Sequence, residues 1–81
     1  MNLTKMQETD MRRALHEVLT AVNNDADVAD MCGVTRQAVG HWKRRGQVPR
    51  DKVARMVSIA KRWRLDIAPA RFRPDVFGGG R

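Results

Sequence analysis

Residues 25–44 have the sequence DADVADMCGVTRQAVGHWKR, and their apolar positions predict two short helices joined by a tight turn. The first of these helices is expected over residues 25–32, because three of its apolar side chains share one helical face. They are Val28, Ala29 and Cys32. Gly33 is expected to end that helix in the left-handed conformation that glycine adopts without strain.

A second helix is predicted over residues 36–44, with Thr35 as its N-cap, because a threonine hydroxyl accepts hydrogen bonds from N–H groups in the first turn. Val39 and Trp42 are three residues apart and are expected to face the interior. The other positions are rich in hydrogen-bond donors: Arg36, Gln37, His41, Lys43 and Arg44. A narrow apolar stripe flanked by donors suits a helix in the major groove of DNA, where Arg and Gln reach base edges and Lys and Arg reach phosphates.

The run VADMCGVTRQAVGHWKRRGQVP resembles the helix-turn-helix of phage Cro-like and YdaS-like regulators. The matching residues are Ala29, Gly33, Val34, Thr35, Ala38, Val39, Trp42 and Lys43. Near the end of the chain, RFRPDVFG is similar to the L-R-P-D-[IVL]-F/W tail of the YdaS-like group, with Phe72 where leucine is usual. This resemblance covers residues 25–78 and implies an all-α, lambda-repressor-like bundle of four to five helices.

The composition fits one small domain whose charge is unevenly distributed. The chain has 81 residues and a net charge of +7, with −3 on residues 1–34 and +10 on residues 35–81. Positive charge on the half that contains the second predicted helix is typical of a surface that binds a polyanion. The alternative is a solvated basic surface without a partner.

Several classes of protein do not fit this composition. A lone cysteine excludes an intrachain disulfide, and one Cys with two distant His residues (His16 and His41) does not fit a metal site, so we expect no metal or cofactor. We find no catalytic arrangement of side chains and expect no enzyme. The sequence has no apolar run long enough to span a membrane and no signal peptide. We therefore expect a cytoplasmic protein, associated with the nucleoid of a bacterial host cell.

The N-terminal part of the chain is predicted to contain a flexible extension and one amphipathic helix. Residues 1–8 have weak periodicity, and they are either a frayed continuation of the helix or an arm. Thr9 is expected to be the N-cap of a helix over residues 9–22. Its apolar stripe consists of Met11, Leu15, Val18, Leu19 and Val22. Asn24 is expected to cap the helix that follows.

After the second helix of the pair, Gly46 is expected to end the helix and Pro49 to occupy the first position of the next one. That helix is predicted over residues 49–64. Its apolar stripe consists of Val53, Met56, Val57, Ala60 and Trp63.

The C-terminal residues are predicted to form a single helical turn over residues 69–73, and no β-strand is expected. Three large apolar residues follow one another closely here: Phe72, Val76 and Phe77. They either close the core or form a dimer contact. We place the domain at residues 9–77 and a disordered tail at residues 78–81.

The residues expected to contact DNA fall into two groups. Base contacts are predicted for the first turn and the middle of the second helix: Arg36, Gln37 and His41. Phosphate contacts are predicted for Thr35, Lys43, Arg44, Arg45, Arg50 and Lys52. Gly40 stands where the family often has Ser or Asn, and it either lets the backbone approach DNA closely or marks a lost contact.

The leading hypothesis is a sequence-specific transcription regulator of phage or prophage type that represses by binding an operator as a homodimer on double-stranded DNA. One alternative is an antitoxin-like interaction module that binds a protein partner through its C-terminal tail. Another is a non-specific architectural protein that binds nucleic acid without sequence preference.

Overall fold

The first helix begins four residues earlier than the sequence predicts. In the computed structural model, which describes residues 4–77, helix α1 spans Lys5–Val22. The Thr4 hydroxyl accepts from the Gln7 N–H at 3.1 Å, and the Gln7 side chain accepts from the Thr4 N–H at 2.9 Å. The prediction of Thr9 as N-cap is wrong, because this capping box satisfies the first N–H groups one turn earlier. Residues 5–8 therefore belong to α1, and residues 1–3 of the predicted extension lie outside the described residues.

Helices α2 (Asp25–Cys32) and α3 (Arg36–Arg45) form the predicted pair, and their caps are confirmed. Asn24 accepts from two N–H groups in the first turn of α2. The Thr35 hydroxyl accepts from the Ala38 N–H at 3.1 Å. Gly33 ends α2 with φ of +70°, a conformation in which most other residues are strained.

The helix predicted over residues 49–64 begins later and ends earlier than expected. Pro49 does not open a helix: it has extended ψ of 145° and precedes a 3₁₀ turn, Arg50–Lys52, which leads into α4 (Val53–Arg62). The buried side chains of α4 are Val53, Met56, Ile59 and Ala60. Ile59, which the predicted apolar stripe omits, is buried in the core, whereas Trp63 is 39% exposed and caps the helix end.

The tail folds as two single helical turns, α5 (Pro69–Phe72) and α6 (Pro74–Phe77). Pro74 ends the first turn, as expected, and then starts another. Phe72 is 0% exposed and closes the core, whereas Val76 and Phe77 are 39% and 45% exposed. The described residues therefore contain six α-helices rather than four to five.

One core joins helices α1 to α5, and the all-α fold class is confirmed. It contains Trp42 and Cys32, both predicted to be buried, and the loop residues Val48 and Ile67. No strand occurs within residues 4–77. No helix in the same range is both long and apolar enough to cross a membrane. The prediction of a disordered end at residues 78–81 lies outside the described residues.

Candidate nucleic-acid interface

Helix α3 is anchored by two side chains and exposes most of the others. Val39 is fully buried and Trp42 is 5% exposed, so one side of the helix is fixed in the core. Gln37, His41 and Arg44 are exposed on the opposite side. Because these three are spaced at i, i+4 and i+7, they lie along one surface of the helix.

The predicted base-contacting residues lie across this surface rather than on one line. Arg36 and Lys43 are on the flank that faces α1, where they line an open groove. His41 and Arg45 are on the other flank, where they line a small cavity of about 220 Å³ with Arg73 of the tail. Gln37 stands between the two flanks. The fold thus exposes all three residues: Gln37 and His41 are neighbours one turn apart on the outer surface of α3, whereas Arg36 lies on the flank that faces α1.

The side chain of Arg44 lies beside Gly40. A Cβ atom at Gly40 would lie 3.8 Å from Nη1 of Arg44, so the guanidinium lies over the bare backbone of the preceding turn. This distance is an ordinary van der Waals contact, and a small side chain would therefore fit at position 40. Arg44 is accordingly placed beside Gln37 on the exposed surface, and its predicted phosphate contact stays a prediction.

Lys43 is already engaged within the chain. Its Nζ lies 3.0 Å from Oδ2 of Asp25 in the first turn of α2, and the two side chains are 50% and 29% exposed. An ion pair this exposed contributes little to stability, of the order of 0.5 kcal/mol. Its consequence is electrostatic, because Asp25 offsets the charge that was expected to meet a phosphate.

The remaining predicted phosphate contacts are spread over three elements. Thr35 uses its hydroxyl as the cap of α3, while Arg45 and Arg50 are exposed. Lys52 lies close enough to the Cys32 thiol for its charge to act on that group. Burial raises the pKa of Cys32, and Lys52 and Arg55 oppose that shift. Lys52 therefore lies in the 3₁₀ turn, near the end of α2, and is not part of the α3 surface.

Three cationic residues near α3 were missed by sequence reasoning. Arg12 and Arg13 of α1 line the groove with Arg36, and Arg71 of α5 lines it as well. The Arg12 side chain packs directly against Gly46, so that a Cβ atom at position 46 would lie 2.5 Å from Cγ of Arg12. Gly46 is thus required both by this contact and by its φ of +73°. The sequence shows that Arg12 and Arg13 lie outside the apolar stripe of the first helix, but it does not show that this helix packs beside α3.

Arg73 connects the tail to the loop that follows α3. Its Nη1 donates to the Val48 carbonyl at 3.1 Å, and its Nε and Nη2 donate to the two carboxylate oxygens of Asp75 at 2.9 and 2.7 Å. The hydrogen bonds from Arg73 hold the pKa of Asp75 below its usual value. This pair gives the Arg-Pro-Asp sequence of the tail a structural role that sequence reasoning did not assign.

Within residues 4–77, no group of three or more His, Cys, Asp or Glu side chains could hold a metal ion. Comparisons of the chain with models of known protein families, with curated proteins and with solved structures give no match. The likeness of residues 25–78 to Cro-like and YdaS-like regulators therefore stays a resemblance in a few motifs.

Proposed function

We propose that this protein is a sequence-specific DNA-binding regulator, of the phage Cro-like or YdaS-like type, with α3 in the major groove. The observation that supports this most directly is the form of α3. Val39 and Trp42 hold the helix in the core while Arg36, Gln37, His41 and Arg44 stay exposed. Arg and Gln side chains match guanine and adenine edges, and the first turn of such a helix is where base contacts concentrate.

In this proposal the chain acts as a homodimeric repressor in the bacterial cytoplasm. Each subunit would place α3 in a half-site, with half-site centres about one helical turn, roughly 34–36 Å, apart. The net charge of +7 favours association with DNA and makes it sensitive to salt. Blocking polymerase at an operator would then repress transcription.

Selection from a pool of random duplexes at physiological salt, followed by sequencing of the retained DNA, tests this function. Enrichment of an inverted repeat is the expected result, and its spacing would define the dimer geometry. The Gln37→Ala variant should enrich a less defined sequence from the same pool. Salt-sensitive retention without any enriched sequence would contradict the proposal and favour a non-specific architectural protein.

A second candidate function is an antitoxin-like interaction module, and the exposed end of the tail supports it. Val76 and Phe77 of α6 are 39% and 45% exposed although both are large and apolar. Such residues are candidates for contact with a protein partner. Val76→Ser together with Phe77→Ser should abolish binding of a partner without changing the DNA sequence that is selected.

A further inference from the structure

An open groove separates α1 from α3, with a volume of about 1110 Å³. One wall is the exposed face of α1, which includes Arg12, Arg13 and His16, and the other includes Arg36 and Lys43 of α3. Arg36 belongs to the groove and also to the first turn of α3, whose proposed role is base contact. A long ligand that contacts the exposed surface of α3 at Arg36 can therefore extend through the groove along α1.

The groove has a net positive charge after its internal ion pairs are counted. Glu17 lies 3.0 Å from Arg71, and Asp25 lies 3.0 Å from Lys43, so both acidic side chains of the lining are already paired. The remaining charged residues of the lining are three arginines: Arg12, Arg13 and Arg36. The negative charges of Glu17 and Asp25 are thus balanced by Arg71 and Lys43, and the lining keeps three further positive charges.

Polar side chains without a formal charge also line the groove. Hydroxyl and amide side chains stand along the groove beside the arginines: Thr9, Thr20, Asn23 and Asn24. The groove is open and larger than most small-molecule sites, whereas small ligands prefer pockets that enclose most of their surface. Its shape and charge are better matched to an extended polyanion.

We infer that this groove holds the sugar–phosphate backbone of one DNA strand while α3 occupies the adjacent major groove. The inference rests on the proposed function, and it assigns a phosphate contact to Arg13 of the acidic N-terminal half. Arg12 also packs against Gly46, and Arg36 is also a proposed base contact of α3, so a substitution at either residue would affect more than the groove. Arg13, which is exposed, is therefore the residue that reports on the groove alone.

The experiment measures how the affinity for the selected duplex depends on salt in Arg13→Gln and in Lys61→Gln. Both substitutions remove one positive charge from an exposed helical position, but Lys61 is on α4 and does not line the groove. Arg13→Gln should reduce the slope of log K against log salt by about 1, and Arg13→Glu should reduce it further. Lys61→Gln should leave the slope unchanged.

Two results would overturn the inference. One is a slope for Arg13→Gln equal to that of Lys61→Gln, which would mean that the groove does not meet the backbone. The other is capture of an acidic peptide by the wild-type groove, lost in Arg13→Gln, with DNA binding intact. Either result would leave the enriched operator and the effect of Gln37→Ala in place, so the proposed function would stand. Circular dichroism confirms that each variant remains helical.

Discussion

Two basic surfaces of the molecule, on α3 and on α4, contain similar residues but use them differently. On α4, Nη1 of Arg55 donates to the Met31 carbonyl at 3.2 Å, and Nη1 of Arg62 lies 3.7 Å from the Met31 sulfur. These arginines cover the end of α2. On α3, Gln37 and Arg44 are exposed and point away from the core.

The difference shows why a count of positive charges does not locate a binding surface. Arg55 satisfies a carbonyl at a helix C-terminus, where a cation is favourable both as a donor and toward the helix dipole. On α3, Gln37 and Arg44 make no side-chain hydrogen bond within residues 4–77 and keep their donors for a partner, whereas Lys43 is paired with Asp25. The groove beside α1 extends that surface with Arg13, which comes from the half of the chain with net negative charge.

The largest effect is expected on the α3 surface. Arg36→Ala or Gln37→Ala should weaken binding to the selected duplex by about 1–3 kcal/mol and binding to random DNA by less, because base contacts are lost only at the operator. Fluorescence anisotropy at fixed salt measures both affinities, and Lys61→Ala on α4 is the control. An equal loss on both kinds of DNA would make the substituted residue a phosphate contact.

A second effect concerns Arg73, another arginine that is used within the fold. Because Asp75 has a lowered pKa in the folded protein, its ion pair stabilises the fold above the ordinary Asp pKa. That stability is lost as the pH falls through the lowered pKa. We expect Asp75→Asn to cost about 1 kcal/mol at pH 7, a value reduced by partial exposure of the pair.

Urea unfolding at pH 7, 5 and 3 measures this contribution. The difference between wild type and Asp75→Asn should shrink toward pH 3 as Asp75 becomes protonated. Asp66→Asn, at an exposed position outside the pair, controls for the loss of one negative charge. A difference that stays constant with pH would show that the Arg73–Asp75 pair does not depend on the charge of the carboxylate.

The two surfaces also differ in helix propensity, since α3 contains Gly40 and α4 contains no glycine. Gly40→Ala should raise the free energy of unfolding by about 0.8–1 kcal/mol, because the new Cβ meets only Arg44 at an ordinary distance. Ala54→Gly, at an exposed position in the first turn of α4, is the converse change and should lower it by a smaller amount, because the full cost of glycine applies to helix interiors.

Affinity for the selected duplex in the Gly40→Ala variant then separates the two interpretations of this glycine. A loss would mean that the backbone approaches DNA closely at Gly40, whereas an unchanged or higher affinity would mark a contact that this chain has lost. Ala54→Gly should not alter affinity for the duplex. A fall in stability of Gly40→Ala would contradict the geometry of Arg44 over Gly40.

On α4, Arg55→Gln should lower the free energy of unfolding by about 0.5 kcal/mol, because the Met31 carbonyl loses a donor that is exposed to competing water. The salt dependence of DNA binding should stay that of the wild type. Thermal unfolding and anisotropy test the two statements. A reduced salt slope in Arg55→Gln would mean that the α4 surface meets DNA after all.

A change in stability of about 0.5 kcal/mol or less is expected for Asp25→Asn, since its ion pair with Lys43 is exposed. The charge on Lys43 would become available to a phosphate, so the salt slope of DNA binding should rise by about 1. Asp30→Asn, an exposed position on the same helix, is the control. Equal slopes in the two variants would place Lys43 away from the DNA backbone.

The elements that the sequence predicted well depend on neighbouring residues. Asn24, Gly33 and Thr35 define the ends of α2 and α3 through contacts within one turn, so their roles were visible in the sequence. The start of α1 was wrong because the weak apolar pattern before Thr9 hid the capping box of Thr4. Apolar periodicity is a poor guide where a helix extends beyond the core.

What was missed depends on packing between distant segments. The groove forms because α1 lies beside α3, which brings Arg13 near Arg36 across more than twenty residues of chain. The contact of Arg73 with the Val48 carbonyl joins the tail to a loop 25 residues earlier. The spacing of residues along the sequence predicts neither arrangement.

The most direct test of the account is an NMR titration of the isotope-labelled protein with the selected duplex. We expect the largest changes in amide shifts along α3 and on the groove face of α1, with Lys61 and Arg62 of α4 little changed. Changes concentrated on Lys61 and Arg62, or on the exposed end of the tail at Val76 and Phe77, would contradict the assignment of α3 as the helix that binds DNA.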